Sequence, residues 1–205
     1  MATTLRLKTH WHKPEAARSA GQTASAIAFM VWRIARQLID RLRTAGFAVD
    51  PGPMYFGVLR ESLVFLALVA DRMAWLQLDG EPRAEFTTAL VRRLAELLDE
   101  NETDLLGPPP AGQPSWRDRF IDQFNTLGEH YAEFGFDAKD GPDFGFRRYF
   151  GTRLEPLLPE QDRRWVLDQV MVIESPDAVD LVRKGMHGVF SRERGPRRNP
   201  ALGGD

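Results

Sequence analysis

Apolar residues recur three and four positions apart along nearly the whole chain, a spacing that fits the amphipathic α-helix and little else. Ala24, Ile27, Ala28, Val31, Ile34, Ala35, Leu38 and Leu42 lie on one helical face that ends at the stop signal Gly46. Asp50-Pro51-Gly52-Pro53 is then a turn. The spacing predicts a second helix from Met54 to Leu78, apolar on nearly all sides in its middle, which a chain can satisfy only by placing it centrally with neighbours around it. Asp79-Gly80 ends it. Phe86, Leu90, Leu94, Leu97 and Leu98 make a third face, with Arg92 and Glu96 as an i, i+4 pair on the opposite side.

The stretch 107–114, Gly-Pro-Pro-Pro-Ala-Gly-Gln-Pro, can join neither helix nor sheet, because proline lacks a donor and restricts the residue before it. It divides an N-terminal three-helix unit, residues 20–106, from a C-terminal unit, residues 115–190. Ser115 reads as an N-cap, followed by the stripe Trp116, Phe120, Phe124, Leu127, Tyr131 and Phe134. Phe134-Gly135-Phe136 recurs as Phe144-Gly145-Phe146, too little to make a repeat architecture. A short aromatic helix (Tyr149, Phe150, Leu154) is stopped by Pro156 and Pro159, and Trp165, Val166, Val170 and Ile173 suggest another. Ser175-Pro176-Asp177 has the form of a helix start, opening a last helix that runs to about Phe190. Thr4–Thr9 alternates as a short strand would, and a lone strand needs a second copy of the chain to pair with. The expected fold class is all-α, a helical bundle of six to seven helices, with a basic N-terminal segment (1–19) and a disordered basic tail (191–205).

Composition removes chemistry more than it supplies any. With no Cys among 205 residues there is no disulfide framework, thiolate nucleophile or Cys-ligated metal. A formal net charge of −2 argues against a wholesale nucleic-acid binder. That total hides an uneven distribution: residues 1–39 carry six basic side chains and one acid, residues 40–110 seven basic and twelve acidic. The basic start resembles a transit peptide only superficially, since its helix continues an apolar face to Leu42 as a bundle helix does. The longest apolar run, Leu63 to Ala70, is eight residues against the ~20 that a membrane span needs, so no span and a cytoplasmic location are expected.

Metal and nucleotide signatures fail on spacing. The residues three before His10, His12, His130 and His187 are Leu7, Thr9, Leu127 and Lys184, so the Glu-x-x-His pairs of a di-metal bundle are absent. His10-Trp11-His12 lacks a third ligand, and Asp99–Asp104 read as a calcium loop puts Asp104 where glycine is required. No lysine ends a glycine-rich loop and no serine sits in a nucleophile elbow. No cofactor is expected. The candidate catalytic residues are His130, Glu133 and Tyr131, a histidine and a carboxylate on one helix face beside the aromatic stripe. The candidate ligand-binding residues are Arg60, Glu61, Asp71 and Arg72, charges bracketing the most apolar helix, which must find partners on other helices or reach water. Arg192, Arg194, Arg197 and Arg198 make the tail a candidate contact for phosphate, RNA or an acidic surface.

Five Trp and thirteen Phe exceed what a plain bundle needs, and some are expected as exposed partner anchors. The functional expectation is a non-catalytic helical interaction protein, an adaptor, assembly factor or regulator with a protein partner or a second copy of itself. The alternative is a small-molecule-binding or hydrolytic bundle with a pocket near His130 and Glu133.

Overall fold

A computed structural model describes residues 20–193. Helix α1 (Ala20–Thr44), α2 (Pro53–Trp75) and α3 (Gly80–Leu106) form the N-terminal three-helix unit. After the Pro/Gly stretch come α4 (Trp116–Ala132), a two-residue hairpin β1 (Phe136–Asp137) and β2 (Gly141–Pro142), α5 (Phe144–Leu154), α6 (Glu160–Gln169) and α7 (Ser175–Glu193). The fold is an all-α bundle with its aromatic cluster in the C-terminal part.

Why α2 lies at the centre is explained by its sequence. Its run from Glu61 to Asp71 is buried without a break, so no face is left for water. Helices α1, α3, α4, α5 and α7 all pack against it, and α7 also returns to α1. By length and composition α2 could cross a membrane, and in the fold 72% of its apolar window is covered by these neighbours. The buried side chains of both units form one continuous core. Within it Phe65 of α2 stacks on Phe150 of α5, with ring centroids 4.3 Å apart and planes 9° from parallel.

Local signals place several boundaries where the sequence puts them. All eight apolar residues of the α1 face are buried. The Ser115 Oγ accepts the Asp118 N–H at 3.0 Å, capping α4. Gly107 closes α3 at φ +84°, a conformation that costs a side-chain-bearing residue strain.

Elsewhere the structure departs from the pattern. Gly80 opens α3, with Asp79 extended before it, where the sequence suggests a stop. The pair expected between Arg92 and Glu96 is made by Arg93 and Glu96, at 2.9 Å. The repeated Phe-Gly-Phe tripeptides flank the hairpin and are tied by Asp143: its carboxylate accepts the Gly135 N–H at 2.8 Å and caps α5 through the Phe146 N–H at 2.7 Å. A Cβ on Gly135 would lie 2.9 Å from that carboxylate, so the approach requires glycine.

The most consequential departure is at Ser175-Pro176-Asp177. The chain does not begin a new helix there; α6 runs into α7 through a π-helical turn, Val170–Glu174, in which the Ser175 N–H bonds Val170 O. Pro176 cannot donate to the carbonyl four residues back and its ring would collide with it, and a widened turn relieves both problems. Helix α7 continues to Glu193, past Phe190. Residues 1–19, with the Thr4–Thr9 strand and His10-Trp11-His12, lie outside the described residues, as do Arg194, Arg197 and Arg198; Arg192 falls in the last described turn.

Candidate functional site

Each of the four charges that bracket α2 finds a partner on another helix. Arg60 pairs with Glu102 of α3 at 2.5 Å, and Asp71 accepts from Arg83 and Thr87 of α3. Arg72 reaches the Tyr131 carbonyl of α4 at 3.4 Å. Glu61, itself buried, receives Arg153 of α5 at 2.6 Å and Gln123 of α4 at 2.9 Å. Residues spaced about three turns apart on one helix thus tie it to three neighbours, which fixes register and rotation. The candidate ligand-binding set is engaged in these contacts and lines neither of the two surface clefts described below.

Glu61 and Tyr131 are brought into one polar cluster between α2, α4 and α5. The Tyr131 ring packs edge-on to Tyr149 at 4.9 Å, and its hydroxyl is buried with no hydrogen-bond partner among the described residues. Burial, then the nearby Glu61 carboxylate, push the Tyr131 phenol well above its ordinary pKa. His130 faces the other way: it is exposed, and its Nδ1 shares a 2.7 Å hydrogen bond with the Tyr149 hydroxyl. Glu133 is exposed at the cap of α4, so the sequence-predicted trio does not converge on one point. Arg153, Gln123 and Tyr149 complete the cluster and are invisible in sequence, because nothing in local spacing reveals a partner 92 residues away.

A buried hydroxyl without a partner carries a desolvation cost, so its removal should help. Tyr131→Phe is expected to raise the unfolding free energy by about 1 kcal/mol. Chemical denaturation of both proteins checks this, and a loss of stability would show that the hydroxyl is bonded in solution.

Glu102 is the second unusual group. Its side chain is 0% exposed, one oxygen meets Arg60 and the other has no hydrogen-bond partner among the described residues. Burial raises its pKa to about 7 despite the opposing Arg60 and Arg119 charges. Trp116 lies against the same guanidinium groups, 6.0 Å from Arg60 and 4.6 Å from Arg119, with its indole N–H bonded to the Gly107 carbonyl. The start of α4 and the start of the Pro/Gly stretch are therefore anchored together beside the Arg60–Glu102 pair.

Two open clefts of similar size indent the surface. One, about 600 Å³, lies between the hairpin and the start of α7 and is acidic, with Asp137, Asp140, Asp143, Asp177 and Asp180 against Arg147 and Arg183. Asp143 is occupied as a cap, and the Asp140 and Lys139 N–H groups hold Asp137 below its usual range. No cluster of three or more His, Asp or Glu placed to hold a metal ion occurs among the described residues. The other cleft, about 540 Å³, lies between α1, the start of α2 and the end of α3, and its lining includes Trp32, Arg36, Asp40, Arg43, Tyr55 and Leu105. The outer side of α1 carries its one sequence signal, the large ring of Phe29 exposed beside Arg33 and Arg36, next to the buried Trp32.

No protein-family model, curated protein or solved structure matches this chain.

Proposed function

We propose that the chain is a non-catalytic helical interaction protein that works as a pair of identical copies. One observation carries the reading. Trp165 and Ile173, which spacing alone counts with the apolar face, are instead 62% and 41% exposed, and Val172 beside them is 73% exposed, on α6 and the π turn that follows it. Their neighbours Val166 and Val170 are buried. Large apolar groups on an outer face favour association, and tryptophan is the residue most enriched at binding hot spots.

The rim favours a second copy over an unrelated partner. Arg164 and Asp168 flank Trp165 and have no ion-pair partner among the described residues. A two-fold axis across the stripe sets Arg164 of each copy towards Asp168 of the other, so a single face carries both halves of the complementarity. A standard interface buries about 800 Å² per partner, and the three apolar side chains would sit at the centre of one.

Light scattering coupled to size-exclusion chromatography tests the reading. Twice the 23.3 kDa chain mass is expected at micromolar concentration. Trp165→Asp should return the protein to its single-chain mass with unchanged helicity. A wild-type protein that stays at 23.3 kDa at ~100 μM, well above the dissociation constant of a specific pair, would overturn it.

A further inference from the structure

The cleft along α1 has the features of a ligand site and owes nothing to the pairing face. Trp32, Phe56 and Leu59 lie towards the core, Tyr55 is half-buried, and Leu105 stands 71% exposed at the edge. A smaller hollow of about 300 Å³ shares Trp32, Arg36 and Asp40 with it and extends the surface to Phe29 and Arg33. The main volume falls within the ~300–1,000 Å³ that small-molecule sites occupy.

Its charged groups are not equivalent. Arg43 is held, with Nε donating to the Val49 carbonyl at 2.9 Å and its guanidinium 5.3 Å from the Tyr55 ring centre. Asp40 lies 3.9 Å from Arg43. Arg36, which lines both hollows, has neither a hydrogen bond nor an ion pair among the described residues, and Arg33 one turn away has none either. Three guanidinium groups against one carboxylate leave the combined lining net positive. An anion with an apolar body satisfies both halves of such a surface, with the body on the rings and the head on Arg36, where a planar fork of donors suits a carboxylate.

We infer that the α1 cleft binds a small anionic amphiphile, a monocarboxylate or sulfonate carrying an aromatic or medium-length aliphatic body, with Arg36 as its anchor and Trp32 as the wall beside it. The pairing of two copies is not needed for this.

The test uses 8-anilinonaphthalene-1-sulfonate as the fluorescent probe on the full chain, with decanoate and decyltrimethylammonium as competitors below their micelle concentrations. Saturable binding is expected, displaced by decanoate at least tenfold more effectively than by the cation. Arg36→Glu should weaken probe and decanoate binding by tenfold or more, and Trp32→Phe should abolish most of the energy transfer from tryptophan to the probe. Arg148→Glu, an exposed charge reversal on α5 that lines neither hollow, should leave binding unchanged. Equal displacement by the cationic and anionic chains, or an Arg36→Glu protein that binds as wild type, would overturn the assignment and leave only apolar adsorption.

Discussion

Phe65→Ala is expected to lower the unfolding free energy by about 3–5 kcal/mol, the range for deleting a fully buried ring whose surroundings cannot collapse. The site leaves little room for collapse. Phe65 is completely buried in the middle of α2; Phe150 stacks on it from α5, Phe146 meets it edge-on at 5.7 Å, and Tyr131 of α4 is tilted beside it at 6.4 Å. Those rings are themselves held, Tyr131 against Phe146 at 4.5 Å, so refilling the space would require two other helices to shift. A loss of that size is a large fraction of the ~5–15 kcal/mol by which ordinary domains are stable. Urea titration followed by far-UV circular dichroism measures it. Phe29→Ala, at a ring 66% exposed on α1, serves as the comparison and should stay within about 0.5 kcal/mol of wild type. A Phe65→Ala loss below ~1.5 kcal/mol would mean that the aromatic cluster is far looser than its geometry implies.

The second large effect is in the pH dependence of stability. The Glu102 carboxyl titrates near 4.5 in the unfolded chain and at about 7 in the fold, so between those values the native state holds a proton that the unfolded state releases. Linkage then requires the stabilising contribution to be complete below pH ~4.5, to shrink as the pH rises, and to be gone above ~7. At about 1.4 kcal/mol per pH unit, the separation between 4.5 and about 7 is worth on the order of 3 kcal/mol. Most carboxylates that lie in ion pairs give the opposite slope. Glu102→Gln isolates the effect, because the amide is neutral throughout and keeps an oxygen for Arg60 to donate to. Denaturation midpoints should fall with rising pH in the wild type relative to the variant from about pH 4.5 to about 7, with the offset between the two curves constant above that. Parallel curves would show that Glu102 remains ionised across the range, its second oxygen hydrated.

How much of the molecule is legible in the sequence depends on the range over which each feature is decided. The α1 face, the central place of α2, the Ser115 cap and the break at 107–114 are set by spacing, composition and proline chemistry, all local. The π turn is hidden because Ser-Pro-Asp is also a good helix start; only the arriving helix α6, already in register with α7, turns the proline into an interior defect. Spacing alone also groups Trp165 and Ile173 with the core. Ile173 lies inside the π turn, which shifts its angular position, while Trp165 in α6 stands about 100° round the helix from the buried Val166. At the candidate sites, sequence says that Glu61 and Arg60 need partners but not that Arg153 and Glu102 supply them, since pairing across helices is decided by packing. His130 and Glu133 sit three apart as a catalytic pair would, yet the helix they share turns Tyr131 inward and leaves both of them in water.

The central position of α2 also has a consequence in time. Its apolar surface is finished when residue 75 leaves the ribosome, but α4, α5 and α7, which cover much of it, are encoded after residue 115, and α7 ends only at Glu193. At roughly 5–20 residues per second, a helix with the length and hydropathy of a membrane span stays only partly covered for on the order of 6–20 s. Until α4 follows, α1 and α3 are the cover that has been made, and the nascent chain exposes an apolar helix surface that the finished bundle buries.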